Sequence, residues 1–226
     1  MYRKRKRTLF ALAVSLGMFA IGVYAAAETF QYHESIERGD DYTSRWIIEE
    51  KSGRISLTIL QDNSDQLYTC VCTPDGAVVE LSILDPDNGT DFTARREGDT
   101  VDFVGTVDGK KHNKKIEVED LPWGNPIPIL LKQQYHKIDA GLEFWVLDIY
   151  KGRPIYLKAE KVGSGNIEVL DRKYPADHIE IRLRGALSPF WVANYWIHRE
   201  TQEFLKFDGD FGPGSQRTVM ELMAVY

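Results

Sequence analysis

Apolar and polar residues alternate in short runs along most of this chain, and each run ends at Gly, Asp, Asn or Pro. Successive side chains of a strand point to opposite faces, so alternation marks a strand buried on one side. Ile55, Leu57 and Ile59 share a face before a turn at Asp62-Asn63-Ser64-Asp65, and Val79, Leu81 and Ile83 share another before Asp85-Pro86-Asp87-Asn88-Gly89. Val101, Phe103 and Val107 precede Asp108-Gly109, a pair suited to the positive φ of a tight hairpin. Ile116 and Val118 alternate with Lys115, Glu117 and Glu119. Ile179, Ile181 and Leu183 alternate with His178, Glu180, Arg182 and Arg184. Turn signals recur roughly every 8 to 12 residues, the spacing of consecutive antiparallel hairpins. They imply about a dozen strands, too many for one flat sheet, which must curl, close or split into two layers. The chain reads as mainly β.

One segment departs from this period. Ile127, Leu130, Leu131, Tyr135 and Ile138 fall at helical spacing, which predicts one amphipathic helix near 126–139. Asn125 suits its N-cap, Pro126 its first position and Pro128 its first turn, and Gly141 follows its end. No Pro-, Gly- or Ser-rich linker accompanies it, so residues 28–226 read as a single β-rich domain. Gly163-Ser164-Gly165 reads as a turn between two strands rather than a nucleophile elbow.

Two strands are apolar on both sides. In Leu142–Tyr150, Trp145, Leu147 and Ile149 oppose Leu142, Phe144 and Val146; in Phe190–Ile197, Trp191, Tyr195 and Ile197 oppose Val192 and Trp196. Either both faces are covered by other elements, or one face lines an apolar cavity. For a cavity, Phe144, Trp145, Trp191, Tyr195 and Trp196 are the candidate lining.

The first residues address location. Arg3-Lys4-Arg5-Lys6-Arg7 precede an apolar run from Leu9 to about Val23 and small residues at Ala25-Ala26-Ala27. That is the layout of a secretory signal peptide over residues 1–27. The run is shorter than the roughly 20 residues that cross a bilayer, and an uncleaved membrane anchor is the alternative. The expectation is a periplasmic or secreted protein, cleaved near Ala27, with no transmembrane span afterwards. Net charge is −6; without the leader's five cations, 23 basic side chains face 34 acidic ones, about −11. Such a balance argues against nucleic acid, whose affinity comes mainly from Lys and Arg on phosphates.

Cys70 and Cys72, the only cysteines, fall two apart on one strand face with Tyr68. Two buried thiols, a strained disulfide and a redox or metal site are the readings, and a lone C-x-C lacks the four ligands zinc usually takes. The Asp85–Asp91 loop fails the calcium-loop register, because Gly89 falls fifth and Arg96 twelfth. Lys110, Lys111, Lys114 and Lys115 form the one basic patch beyond the leader. It is placed at a hairpin tip, either merely solvated or docking an anionic group. The five histidines are scattered and form no H-E-x-x-H pair. No catalytic residues, cofactor or metal ligands are assigned, and the expectation is a protein that is not an enzyme.

In the closing segment, Tyr195-Trp196-Ile197 ends a strand, His198–Glu203 turns, and Phe204-Leu205-Lys206-Phe207 starts another. This hairpin resembles that of periplasmic half-barrel proteins, which include LolA-like lipoprotein carriers and related uncharacterised Gram-negative proteins. The resemblance covers some 20 residues, and His198 stands where that group often has Asp. It implies a strongly curved antiparallel sheet, a half-barrel or open barrel meander, whose concave face takes an acyl chain or other apolar ligand. A cell-envelope protein that docks another protein without a small ligand is the alternative. A cavity of roughly 300 Å³ or more would favour the carrier over the docking module, which would instead expose an apolar patch.

Overall fold

The computed structural model describes residues 27–212 and 215–226. The leader and its cleavage site, expected within residues 1–27, fall outside the described residues but for Ala27. Eight strands precede the helical segment: β1 (Glu28–Ile36), β2 (Tyr42–Lys51), β3 (Arg54–Gln61), β4 (Leu67–Cys72), β5 (Val78–Asp85), β6 (Thr90–Glu97), β7 (Thr100–Val107) and β8 (Lys110–Glu117). Six follow it: β9 (Leu142–Asp148), β10 (Arg153–Val169), β11 (Arg172–Leu183), β12 (Val192–His198), β13 (Phe204–Asp210) and β14 (Arg217–Val225). All belong to one antiparallel sheet, ordered β8-β7-β6-β5-β4-β3-β2-β1-β14-β13-β12-β11-β10-β9. Two meanders thus join through the first and last strands, with Phe30 opposite Val225 and Ile36 opposite Thr218.

The sheet is open but strongly curved. Phe103 on β7 and Gly152 beyond β9 stand near opposite edges, yet a methyl group on Gly152 would lie 3.4 Å from the Phe103 ring. Lys114 of β8 donates to the Lys151 carbonyl across the same gap, at 3.2 Å. Inward-facing side chains line up in rungs, one running Phe30, Trp46, Ile59, Tyr68, Ile83, Phe92 and Gly105 across seven strands. Gly105, which pairs in turn with His112 of β8, has no room for a side chain: a Cβ there would lie 2.5 Å from the Phe92 Cα and 2.7 Å from its Cβ, and its φ is +138°.

The hairpin at Asp108-Gly109 has the expected positive φ values, 48° and 73°. Two expectations fail through bulges, which alternation does not reveal. In β5 the register slips so that Cys72 faces Val78 and Val71 faces Glu80; Val78 turns into the core and Val79 does not. Gly163-Ser164-Gly165 is not a turn but the middle of the 17-residue strand β10, with irregular register between Lys161 and Gly163. Glycine in a strand interior often marks such a site.

The helical segment is shorter and broken. α1 covers Ile127–Gln133, a 3₁₀ helix continues over Tyr135–Ala140, and Gly141 closes it with φ +85°. Leu130, Leu131 and Ile138 are buried as the periodicity requires. Asn125 is not the cap; Pro126 takes that position without a side-chain bond, because the Asn125 amide is used elsewhere. Its Oδ1 accepts from Trp123 Nε1 at 2.6 Å and from the Leu147 backbone N–H at 2.7 Å.

Residues 118–125 form a strap along β9. The Trp145 N–H donates to Pro122 O at 3.0 Å, the Gly124 N–H to Trp145 O at 2.8 Å, and the Val78 N–H to Trp123 O at 2.8 Å. The strap therefore covers the backbone edge that β9 would otherwise leave unpaired. α1 sits at the end of the sheet that holds the β4–β5 turn, where Gln134 Nε2 donates to Asp75 O at 3.1 Å. The register puts the β1–β2, β3–β4, β9–β10 and β13–β14 turns at the other end.

Candidate functional site

Between the concave face and the layer made by α1, the strap and β9 lies a cavity of about 1010 Å³. That is the upper end of ordinary ligand sites, about 300–1,000 Å³. Trp46, Ile59 and Tyr68 form one wall, and Tyr195, Phe204, Phe207 and Met220 continue it across the later strands. Ile127 of α1, Val146, Leu147 and Ile149 near β9, and Ile155 and Leu157 of β10 face them. The walls are predominantly hydrocarbon and aromatic. Rings brace one another: Tyr32 and Phe204 have centroids 5.1 Å apart, Tyr195 and Phe207 5.0 Å, and Phe207 stacks on Phe211 at 5.0 Å. At the open end Tyr150, Leu187 and Phe211 are 67%, 59% and 60% exposed, which makes an apolar mouth.

Of the five residues expected to line a cavity, Trp191 and Tyr195 do so. Phe144 and Trp145 have no exposure at all and belong to the packed layer beneath the strap. The Trp145 ring stacks on Trp123 at 5.0 Å, its Nε1 donates to Leu121 O at 3.1 Å, and the Arg96 guanidinium lies 5.7 Å above it. A strand covered on both faces was one of the two readings, and for this part of β9 it holds. Trp196 lies on the opposite side of β12 from Tyr195, as adjacent strand residues must, and stacks on His178 at 4.7 Å.

One buried polar cluster interrupts the wall. Glu34, only 4% exposed, continues the inward series Phe30, Tyr32, Glu34, in a rung with Met220, Phe207 and Tyr195. Its carboxyl accepts from Tyr42 Oη at 2.6 Å and from Ser44 Oγ, which in turn accepts from Trp46 Nε1 at 3.2 Å. Burial pushes the Glu34 carboxyl above the usual carboxylate range, and the hydrogen bonds from Ser44 and Tyr42 counteract this only in part. Also in the lining, Trp191 Nε1 is a buried donor with no partner among the described residues. Sequence reading missed Glu34 and Ser44. The signal available was the period of two itself, which carries both inward despite their polarity.

The lysine run occupies β8, an edge strand, and the hairpin tip is Asp108-Gly109. Lys110 and Lys114 stand opposite the buried Val107 and Phe103, whereas Lys111 and Lys115 stand opposite Thr106 and Asp102. The four ammonium groups therefore divide between two faces, and Lys115 pairs with Asp102 at 3.1 Å. Cys70 and Cys72 are buried free thiols with sulfurs 3.8 Å apart. Their mutual hydrogen bond and burial push the Cys70 thiol well up. In the β5–β6 turn the Asp85 carboxylate accepts from Asn88 Nδ2 at 2.7 Å. Among the described residues no three His, Cys, Asp or Glu gather as a metal site, and no helix is long and apolar enough to cross a membrane.

No protein-family model and no curated protein matches this chain. Among solved structures it is similar to MucB at 11% identity and TM-score 0.40, over 88% of this chain and 52% of that one. The chain thus spans about half the length of MucB. The lipoprotein YmcC of Escherichia coli K12 is similar at 9% identity and TM-score 0.40, over 88% of this chain and 84% of YmcC. A LolA superfamily protein from Nitrosomonas europaea is similar at 7% identity and TM-score 0.29, over 90% and 86% of the two chains. The fold itself is one open, strongly curved antiparallel sheet.

Proposed function

We propose that this is an exported, non-enzymatic protein that binds an apolar or lipid-like ligand in the cavity of its curved sheet. The observation that carries this reading is the cavity itself, about 1010 Å³ with predominantly apolar walls and an apolar mouth. A docking module without a small ligand would have used the same aromatic residues to fill that space. Removing a buried apolar chain from water contributes about 0.8 kcal/mol per methylene, so a single acyl chain supplies ample driving force. The basic-apolar leader supports export, and the periplasm or the exterior is where the ligand would be met.

The test is a neutral apolar fluorophore, N-phenyl-1-naphthylamine, titrated into the protein and displaced by monoacylglycerol. Saturable binding and displacement are expected. Ile59→Trp, which places an indole in the cavity, should weaken the probe at least about tenfold while leaving the melting transition in place. A probe that does not bind the native protein, or binds the Ile59→Trp variant equally well, sinks the cavity reading.

A further inference from the structure

We infer that the cavity selects amphiphiles whose head group is uncharged or cationic and donates hydrogen bonds, as a monoacylglycerol does, and discriminates against free fatty acids. This rests on the proposed binding of an apolar chain and adds the chemistry of its head.

Two buried polar groups of the lining carry the inference; its cations are already paired, Lys151 and Arg153 with Asp148 at 3.6 and 3.7 Å and Arg184 with Glu119 at 2.6 Å. Glu34 lines the cavity at 4% exposure, on the part of β1 that leads to the open end. Tyr42 and Ser44 supply two donors to its carboxyl, whereas a carboxylate has about four acceptor positions. A hydroxyl or ammonium entering beside it gains a charge-assisted hydrogen bond in a poorly hydrated site. A second carboxylate brought there meets a like charge and loses its own water, so one of the two groups must take up a proton. Removing water strengthens both the attraction and the repulsion.

Trp191 supplies the other anchor. Its Nε1–H is the one buried side-chain polar atom without a partner among the described residues, and its ring lines the same cavity. A buried donor left unpaired is unusual in a folded protein and calls for an acceptor. An acyl ester or amide carbonyl is such an acceptor, and a plain hydrocarbon is not. A ligand that satisfies both groups therefore carries an acyl carbonyl and a hydrogen-bond donor at the head of one apolar chain. Monoacylglycerol is the simplest compound that does.

The experiment uses the native protein and displacement of N-phenyl-1-naphthylamine by three dodecyl compounds: monolaurin, lauric acid and dodecylamine. Monolaurin and dodecylamine are expected to bind about tenfold or more tightly than lauric acid, the equivalent of one pKa unit of interaction. Glu34→Gln should close most of that gap by improving lauric acid. Trp191→Phe should weaken monolaurin about two- to tenfold, the span of one ordinary hydrogen bond, and leave dodecylamine unchanged. Equal affinities of monolaurin and lauric acid for the native protein overturn the inference without needing either variant. So does a gap that Glu34→Gln leaves intact. If none of the three displaces the probe, the apolar-ligand reading itself has failed, a result distinct from the loss of head-group selection.

Discussion

Replacing Asn125 by Ala tests how the layer over the cavity is held. The Asn125 Oδ1 atom accepts from Trp123 Nε1 at 2.6 Å and from the Leu147 N–H at 2.7 Å. Trp123 is wholly buried and Leu147 is 4% exposed, so water has little access to either donor. A methyl group removes both acceptor contacts at once. Each buried donor left unsatisfied costs about 1–3 kcal/mol, so about 2–6 kcal/mol is expected in all. Against a total stability of about 5–15 kcal/mol, that is a large share. Asn125→Asp keeps an acceptor oxygen in place and should retain both hydrogen bonds, less the cost of burying its charge. The assay is equilibrium unfolding in urea, read by the fluorescence of the five tryptophans. A loss under about 1 kcal/mol for Asn125→Ala, with an unchanged urea dependence, refutes the claim that this amide ties the strap to β9. Asn125, Pro126 and Ile127 also line the cavity, so the same variant should weaken the apolar probe.

Two further outcomes follow from groups outside the cavity. Burial would raise the Asp177 carboxyl, but hydrogen bonds from Ser164 at 2.5 Å and from Tyr135, with the Lys161 ammonium 3.5 Å away, hold it below its ordinary value. A carboxyl depressed in the folded state contributes fully above its unfolded value near 3.8, and this contribution is lost as pH falls through the folded value. Melting temperatures between about pH 5 and pH 2 should therefore fall less steeply for Asp177→Asn than for the native chain; parallel curves would contradict the assignment. At the free edge, Lys111→Val with Lys115→Val removes two of the four ammonium groups on β8 and should let it pair with a second copy, and size-exclusion chromatography should show dimers or larger species. A variant that elutes unchanged at high concentration would show that these lysines do not guard the edge.

The strand framework was legible because alternation and turn residues act locally. Asp108-Gly109 and the series Ile179, Ile181, Leu183 needed no tertiary information to be read. What alternation cannot disclose is what covers each face. Phe144 and Trp145 look as suited to a ligand as Trp191, but the strap and α1 reach the first pair and leave Trp191 and Tyr195 on the cavity. The strap itself carries no periodic signal; its hydrogen bonds to Val78 and Trp145 join residues far apart in the chain. Bulges at Val79 and Val162 shift a register only once two strands meet. Glu34 and Ser44 escaped for a different reason. A polar residue on an inward position reads as the end of a strand, whereas here it marks a buried polar station within the lining.

That contrast between a hydrocarbon interior and a polar station toward the mouth gives the last prediction, a dependence on chain length. If the acyl chain runs inward from Glu34 toward α1, each added methylene moves from water into the space bounded by Ile59, Ile127 and Leu157. At about 0.8 kcal/mol per methylene, affinity should rise about fourfold for each carbon added to a monoacylglycerol. The rise cannot continue indefinitely, because α1 closes that end of the sheet, with Gln134 bonded to the Asp75 carbonyl. Beyond the length at which the terminal methyl reaches the helix, further carbons must buckle or push the head outward, and the curve should level. Ile127→Ala enlarges the cavity at the helix and should move the break toward longer chains without changing the slope below it. Isothermal titration of a monoacylglycerol series from eight to about sixteen carbons gives both slope and break. A flat series would mean that the chain stays at the exposed rings of Tyr150 and Phe211 and the side chain of Leu187. A break that Ile127→Ala leaves in place would mean that the chain does not run toward the helix at all.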